Sequence, residues 1–387
     1  MVSRRRFLEA AGGIVGAATQ LIRRGAEIMP DVKILETKII SLQSQYYHGW
    51  PTLVRRKNGQ LLLVYSGGRE EHVCPFGRVE LMVSNDNGRT WTWPRVLLDS
   101  AIDDRDAGVL ETSRGSILVT SFTSLAYEKV LEEAAGKRGE NGAWPQERLT
   151  AWRLAHERLT AEQRQAELGQ WMIRSTDGGM TWSARYPCIV NSPHGPTQLS
   201  DGRLIYVGKE LWTGRRRVGI CESLDDGQTW HWLADIPPRR DDSIENYHEL
   251  HAVEATDKSI IVHVRNHNRD NRGETLQSES VDGGKSWTVP HSISVWGLPS
   301  FLLLLRNGDL LMTYGYRRSP LGNQARLSHD NGKSWSDPMI ISGDGTSTDL
   351  GYPSTVELDD TFLTVWYELM KDSPRAVLRQ ARWTFVG

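Results

Sequence analysis

Arginine, glutamate, histidine, tyrosine and tryptophan crowd into a few short stretches of this chain. They include His48-Gly49-Trp50, Arg69-Glu70-Glu71-His72, Asp104-Arg105-Asp106, His194, His248-Glu249, Arg265-Asn266-His267-Asn268, Trp296, Arg317-Arg318, Tyr352 and Tyr367-Glu368. Arginine presents a planar fork of donors that matches a carboxylate, and aromatic rings stack on the faces of sugar rings. Glutamate and histidine transfer protons. Gathered on one surface, such residues suit an anionic sugar. An ordinary solvated rim is polar too, but it draws on lysine, serine and threonine.

These stretches act together only if the fold assembles them, and the elements around them repeat. Six segments read as an apolar strand, a turn and a second apolar strand: 51–66, 107–122, 195–209, 249–265, 299–315 and 352–368. Their turns are mostly hairpin chemistry, such as Asn58-Gly59 and Asn307-Gly308. Five of the six are followed by one eight-residue phrase, S-x-D-x-G-x-[T/S]-W, at Ser84–Trp91, Ser175–Trp182, Ser223–Trp230, Ser280–Trp287 and Ser328–Trp335. Asp and Gly make a turn, the carboxylate capping backbone N–H groups, and the Trp packs on a neighbouring sheet.

Four-stranded units repeated in this way predict an all-β fold, a six-bladed β-propeller. The interval between the first two phrases is nearly twice the others. A stretch rich in Ala, Glu, Arg and Leu, at about 125–169, accounts for the excess and predicts a helical insertion in blade 2. The segment 33–41 alternates like a strand and is expected to complete the last blade. Strands in a blade run up and down. The start of each first strand and the end of each second strand therefore share one face, which carries all the stretches named above. The five phrases lie on the opposite face and are structural on this reading. The insertion begins on the residue-rich face and is expected to wall it.

The chain has 387 residues and a net charge of −2, so no basic surplus points to nucleic acid. Its cysteines, Cys74, Cys188 and Cys221, show no metal-binding spacing and read as single thiols, with a Cys188–Cys221 disulfide as the alternative. No cofactor or metal is implied: the phrase lacks the alternating oxygen ligands of a calcium loop. Ser3-Arg4-Arg5-Arg6-Phe7-Leu8 precedes an apolar stretch, Ala10 to Leu21, too short to span a membrane. Residues 1–30 are expected to be a twin-arginine (Tat-type) export signal and linker, with 31–387 a propeller in the periplasm or outside the cell.

From Ser41 to the C-terminus, apart from the insertion, the repeats resemble the sialidase (neuraminidase) superfamily of six-bladed propellers. The run Gly351–Leu358 is similar to the family segment whose Tyr is the nucleophile, which implies that role for Tyr352. The run His248–Glu254 is similar to the segment whose Glu activates that Tyr, which implies Glu249. Arg265 and Arg317 or Arg318 fall where the family places carboxylate-binding arginines. Where the family opens its first blade with Arg-Ile-Pro, this chain has Gly49-Trp50-Pro51; Arg69 and Arg105 are candidate substitutes. The family's acid Asp should follow Arg69 closely, and Glu71 and His72 stand there instead, with Asp106 behind them. Trp50, His48 and His194 complete the expected substrate-binding set. The resemblance implies an exo-glycoside hydrolase of terminal acidic sugars. A glycosidase or lyase on another acidic sugar (a uronate or 3-deoxy-2-ulosonate) and a non-catalytic carbohydrate-binding propeller are the alternatives.

Overall fold

The computed structural model describes residues 31–137, 142–212, 215–269 and 272–386. The N-terminal export segment expected at 1–30 lies outside them. Six four-stranded antiparallel sheets follow one another along the chain. Blade 1 runs from Tyr47 to Leu98, blade 2 from Asp103 to Pro187, blade 3 from Thr197 to Asp235, blade 4 from Tyr247 to Val295 and blade 5 from Ser300 to Ser342. Blade 6 takes three strands from Leu350 to Val386, and its outermost strand is Asp31–Ile39, paired with Val377–Val386. The two ends of the described chain thus close the ring in one sheet.

Alternation along each strand explains why the ring holds. In Leu61–Arg69, the residues Leu61, Leu63 and Tyr65 pack against blade 6, whereas Leu62 and Val64 pack against blade 2. Both faces of such a strand are buried, so it reads as a near-continuous apolar run. The same division recurs around the ring and gives one apolar cluster for each of the six blade–blade interfaces.

The S-x-D-x-G-x-[T/S]-W turns join third to fourth strands. In the first, the Ser84 hydroxyl donates to Asp86 (2.7 Å) and accepts from the Gly88 N–H (2.8 Å), while Asp86 accepts from the N–H and hydroxyl of Thr90 (2.9 and 2.6 Å). Two of the Trp side chains reach across to the preceding blade. Trp91 Nε1 donates to Gln380 (2.9 Å), which donates to Gly88 O (2.8 Å); Trp335 Nε1 donates to Gln277 (2.8 Å), which donates to Gly332 O (2.8 Å). These turns fasten blades together on the face away from the polar cluster.

Three helices, α1 (Tyr127–Gly136), α2 (Gln146–Glu157) and α3 (Ala161–Ala166), lie between the second and third strands of blade 2. They have a small core of their own. Tyr127, Leu131, Leu149 and Trp152 pack on Cys74 and Ile102, so the helices dock on the loop that leaves the second strand of blade 1. All three cysteines are buried free thiols, and the alternative of a Cys188–Cys221 disulfide is not realised. No helix among the described residues is long and apolar enough to cross a membrane.

Candidate functional site

The innermost strands enter the ring through an irregular step. Pairing in blades 1, 2, 4 and 6 slips between Gly49 and Thr52, Arg105 and Gly108, His248 and Leu250, and Gly351 and Ser354. At or beside each slip sits a non-glycine residue with positive φ: Trp50 (51°), Asp106 (47°), Glu249 (38°) and Tyr352 (55°); His194 (74°) takes the same place in blade 3. Bulky residues avoid this region, and each instance costs about 1–3 kcal/mol. A bulge re-aims a side chain, and here four of the six blades use one, while His194 takes left-handed backbone just before the first strand of blade 3. Close approach of blades 5 and 6 helps to set Tyr352: a Cβ on Gly315 would lie 2.7 Å from Gly351 Cα.

At the centre, the Tyr352 hydroxyl donates to Glu249, and Arg265 Nη1 bonds the other oxygen of the same carboxylate. Arg265 Nη1 also lies 3.2 Å from the Tyr352 oxygen, and its Nε faces His267 Nε2 at 2.7 Å. Burial acts to raise the Glu249 pKa, but the charge of Arg265 and the bond from Tyr352 outweigh it and hold the carboxyl below its ordinary range. Burial and the Glu249 charge push the Tyr352 phenol well up. The resting pair is a neutral phenol on an ionised carboxylate.

Asp106 is buried and its pKa is pushed up to about 7 by burial, with Arg105 opposing; one oxygen has no hydrogen-bond partner. Its charge acts on both Glu249 and Tyr352, so the three groups form one electrostatic unit. Arg105 lies over the Trp50 ring at 4.6 Å and near Phe122, and no carboxylate pairs with it among the described residues. Beside Arg265, a cavity of about 330 Å³ is lined by Arg272, Arg317, Arg318, His267 and Trp296, with no acidic residue among the described residues of its wall. Arg317 donates from Nε to Leu350 O (2.9 Å), and Arg318 lies 4.9 Å over the Trp296 ring.

Several expected site residues lie elsewhere or are committed. Arg69 is fully buried and all five of its donors are taken: by both oxygens of Asp103 (2.6 and 2.9 Å) and by the carbonyls of Asp104, His72 and Glu71. It braces the loop and has nothing left for a ligand. His48 is buried against Tyr65 at 5.3 Å, away from the central cluster, and burial lowers its pKa to about 4. His194 is buried beneath Tyr352 (ring centroids 6.5 Å) among His251 and Phe301. It closes the inner end of a 940 Å³ cavity lined also by turn residues of the opposite face such as Lys57 and Arg306. Glu71 is paired with Arg148 of α2 at 2.6 Å, and Glu70 bonds Arg148 and Trp152.

A second polar cluster emerges where blades 6 and 1 meet, and Asp349 is its centre. Its carboxylate accepts from Tyr47 (3.0 Å) and Tyr367 (3.1 Å) and faces His72 Nδ1 at 3.3 Å. Tyr47 opens the first strand of blade 1 and Asp349 directly precedes that of blade 6, with no motif to single them out. Tyr367 was legible only as the polar end of a strand.

Comparison with known proteins agrees with this architecture. The chain matches the BNR repeat-like domain family over residues 32–240 and 141–365. It is 23% identical over 325 residues to a sialidase of Clostridium perfringens, covering 82% of this chain and 69% of that protein. A solved structure of a Dyadobacter fermentans protein of unknown function superposes with a TM-score of 0.73 at 22% identity, covering 92% of this chain and all of that one. Trypanosoma rangeli sialidase superposes with a TM-score of 0.57 at 17% identity, over 87% of this chain and 55% of that one. The chain belongs to the BNR repeat-like domain family and is a six-bladed propeller of the sialidase superfamily.

Proposed function

We propose that this protein is a sialidase-like exo-glycoside hydrolase that removes a terminal acidic sugar, with Tyr352 as nucleophile and Glu249 as its base. The observation that carries the reading is the Tyr352–Glu249–Arg265 contact on strained backbone at the centre of the ring. A sugar with a carboxylate on its anomeric carbon repels an anionic nucleophile. A neutral phenol approaches without that penalty, which makes a Tyr nucleophile the physical exception to the usual pair of glycosidase carboxylates. As the phenol oxygen attacks, its proton passes to Glu249. Arg265 stabilises the carboxylate beforehand and the phenolate character as it develops.

Arg265 and Arg317 are assigned to the substrate carboxylate, with Arg318 at the edge of the same basic cavity. Asp106 is assigned to a sugar hydroxyl. Gly49 stands in the place of the family's first-blade arginine, and Arg105, on the face of the adjacent Trp50, supplies a cation at a different angle. This substitution favours a second substrate class, another acidic sugar such as a uronate or 3-deoxy-2-ulosonate, over a strict sialoside. The helical insertion is read as a wall that holds the blade 1 loop. Residues 1–30 are read as a twin-arginine export signal, which would place the propeller in the periplasm or outside the cell.

The test is a screen of the purified protein and its Tyr352→Phe variant on aryl α-sialosides, 3-deoxy-2-ulosonates, uronides and neutral glycosides. Turnover of an acidic glycoside that vanishes in Tyr352→Phe, with the melting temperature kept, supports the reading. Turnover unchanged in that variant, or none on any glycoside, contradicts it.

A further inference from the structure

We propose that His72, oriented by Asp349, is the proton-transfer residue of this site, donating from Nε2 to the departing glycosidic oxygen and taking a proton back from water. The inference rests on the glycosidase reading above, but its foundation is a separate cluster of residues.

Asp349 is an anion with fixed surroundings. Two buried phenols, Tyr47 and Tyr367, donate to it from blades 1 and 6. Burial acts to raise its pKa, but the bonds from His72, Tyr47 and Tyr367 prevail and keep it below the usual carboxylate range. His72 Nδ1 lies 3.3 Å from Asp349 Oδ1 and 3.1 Å from the Tyr47 oxygen, whose own proton goes to Asp349. The network therefore assigns a proton to Nδ1, and Nε2 is left to the other side of the ring. Nε2 bonds nothing among the described residues, and the side chain is half-exposed (50%).

The ring is also placed. It stands edge-on to Trp50 at 4.9 Å, and Trp50 in turn packs edge-on against Tyr352 at 6.4 Å, so one indole contacts both His72 and the nucleophile. Its backbone is pinned from below, since buried Arg69 donates to the carbonyls of Glu71 and His72. It is pinned from the side by Arg148 of α2 on Glu71. The commitment of Arg69 and Glu71 to structure thus has a purpose: both hold the loop that carries His72.

The proton balance closes. In the first step the Tyr352 oxygen bonds the anomeric carbon and the bond to the leaving oxygen breaks. Glu249 takes the phenol proton, and imidazolium His72 gives its Nε2 proton to the leaving oxygen. In the second step water attacks the same carbon and loses a proton to His72 Nε2, while the Tyr352 oxygen departs and recovers its proton from Glu249. The groups that face His72 are Asp349, which favours the imidazolium, and Arg105 and Arg69, which with burial disfavour it. The net shift is downward, so the imidazolium and the activity belong to the acid side of neutrality.

Leaving-group dependence tests the assignment. The same acidic sugar is offered on a nitrophenyl group, which departs without a proton, and on an alcohol or sugar, which needs one. His72→Gln should lose about 100-fold or more in kcat/KM on the alcohol and less than about 5-fold on the nitrophenyl. Tyr352→Phe should lose both, which separates failure of this assignment from failure of the glycosidase reading. Equal losses in His72→Gln on the two substrates, no loss on either, or the selective pattern appearing in Asp106→Asn instead would overturn it. A readout without substrate is the nitrogen NMR of His72. The neutral ring should carry its proton on Nδ1, and Asp349→Asn should lower its pKa by about one unit or more. Tyr47→Phe offers a gentler change to the same cluster should Asp349→Asn fail to fold. A titration unmoved by both variants contradicts the pairing.

Discussion

Tyr352 and Glu249 meet across the ring although 103 residues separate them, each held by left-handed backbone at the start of an innermost strand. Neither residue type favours that conformation. The bulges at His248/Leu250 and Gly351/Ser354 make the two side chains converge where regular strands would alternate past one another.

The Glu249–Arg265 pair should show in the pH dependence. Glu249 has a folded pKa below its unfolded value, so its contribution to stability is present above about pH 4.3 and is lost as pH falls through the folded value. Activity should fall over the same acid range, because protonated Glu249 cannot accept the phenol proton. In Arg265→Gln the acid limb of kcat/KM should move to higher pH. The variant should also lose about 3–5 kcal/mol of stability, since a largely buried carboxylate keeps its charge without its partner. Denaturant unfolding and a pH–rate profile check both.

Arg69 and Arg105 both lie over Trp50, at 5.0 and 4.6 Å, but should behave oppositely. Arg69→Met strands the fully buried Asp103 and three backbone carbonyls, and should destabilise by about 3–5 kcal/mol. Arg105→Met breaks no ion pair and should leave the melting temperature nearly unchanged. Its effect should be on substrate, with kcat/KM lowered by about 10- to 100-fold if it binds a carboxylate. Thermal melts and kinetics on both variants decide.

Much of this architecture was legible in the chain because it repeats. The alternating runs around Asn58-Gly59 and Asn307-Gly308 show hairpins, and the recurring Trp shows where five of the six blades turn. The closing strand at Asp31–Ile39 was visible in its alternation. The site was less legible. Tyr352, Glu249 and Arg265 stand out by residue type and resemblance, but their left-handed backbone leaves no mark in composition. The run Asp103-Asp104-Arg105-Asp106 looks like a uniform polar rim, yet its side chains part ways: Asp103 pairs with buried Arg69, Arg105 lies on Trp50, and Asp106 joins the centre. That sorting depends on contacts between blades, which one sequence does not display.

Gln277 and Gln380 should matter for stability alone. Each is buried, accepts from a Trp of the next blade and donates to a Gly carbonyl there. Leucine at either position leaves an indole N–H and a carbonyl without partners, at a cost of about 2 kcal/mol. Urea unfolding should show this loss, with kcat unchanged.

The turns themselves should set part of the acid stability. Burial acts to raise the Asp86 and Asp225 pKa values, but the bonds from Thr90 and Ser84, and from Thr229 and Ser223, together outweigh it and hold both at about 2. Their stabilisation is complete above about pH 4 and is lost on the way down to about pH 2. The melting temperature should fall across that window, and Asp86→Asn with Asp225→Asn should flatten the fall.

The central claim, a covalent bond from sugar to Tyr352, has a direct measurement. The protein is incubated with an acidic glycosyl fluoride carrying a further fluorine beside the anomeric carbon, which slows the second step. Intact mass and peptide mapping then follow the adduct. One glycosyl group per chain is expected, on the peptide containing Tyr352, and absent from Tyr352→Phe. An adduct on another residue, or turnover of the unfluorinated substrate with no adduct formed, would contradict it.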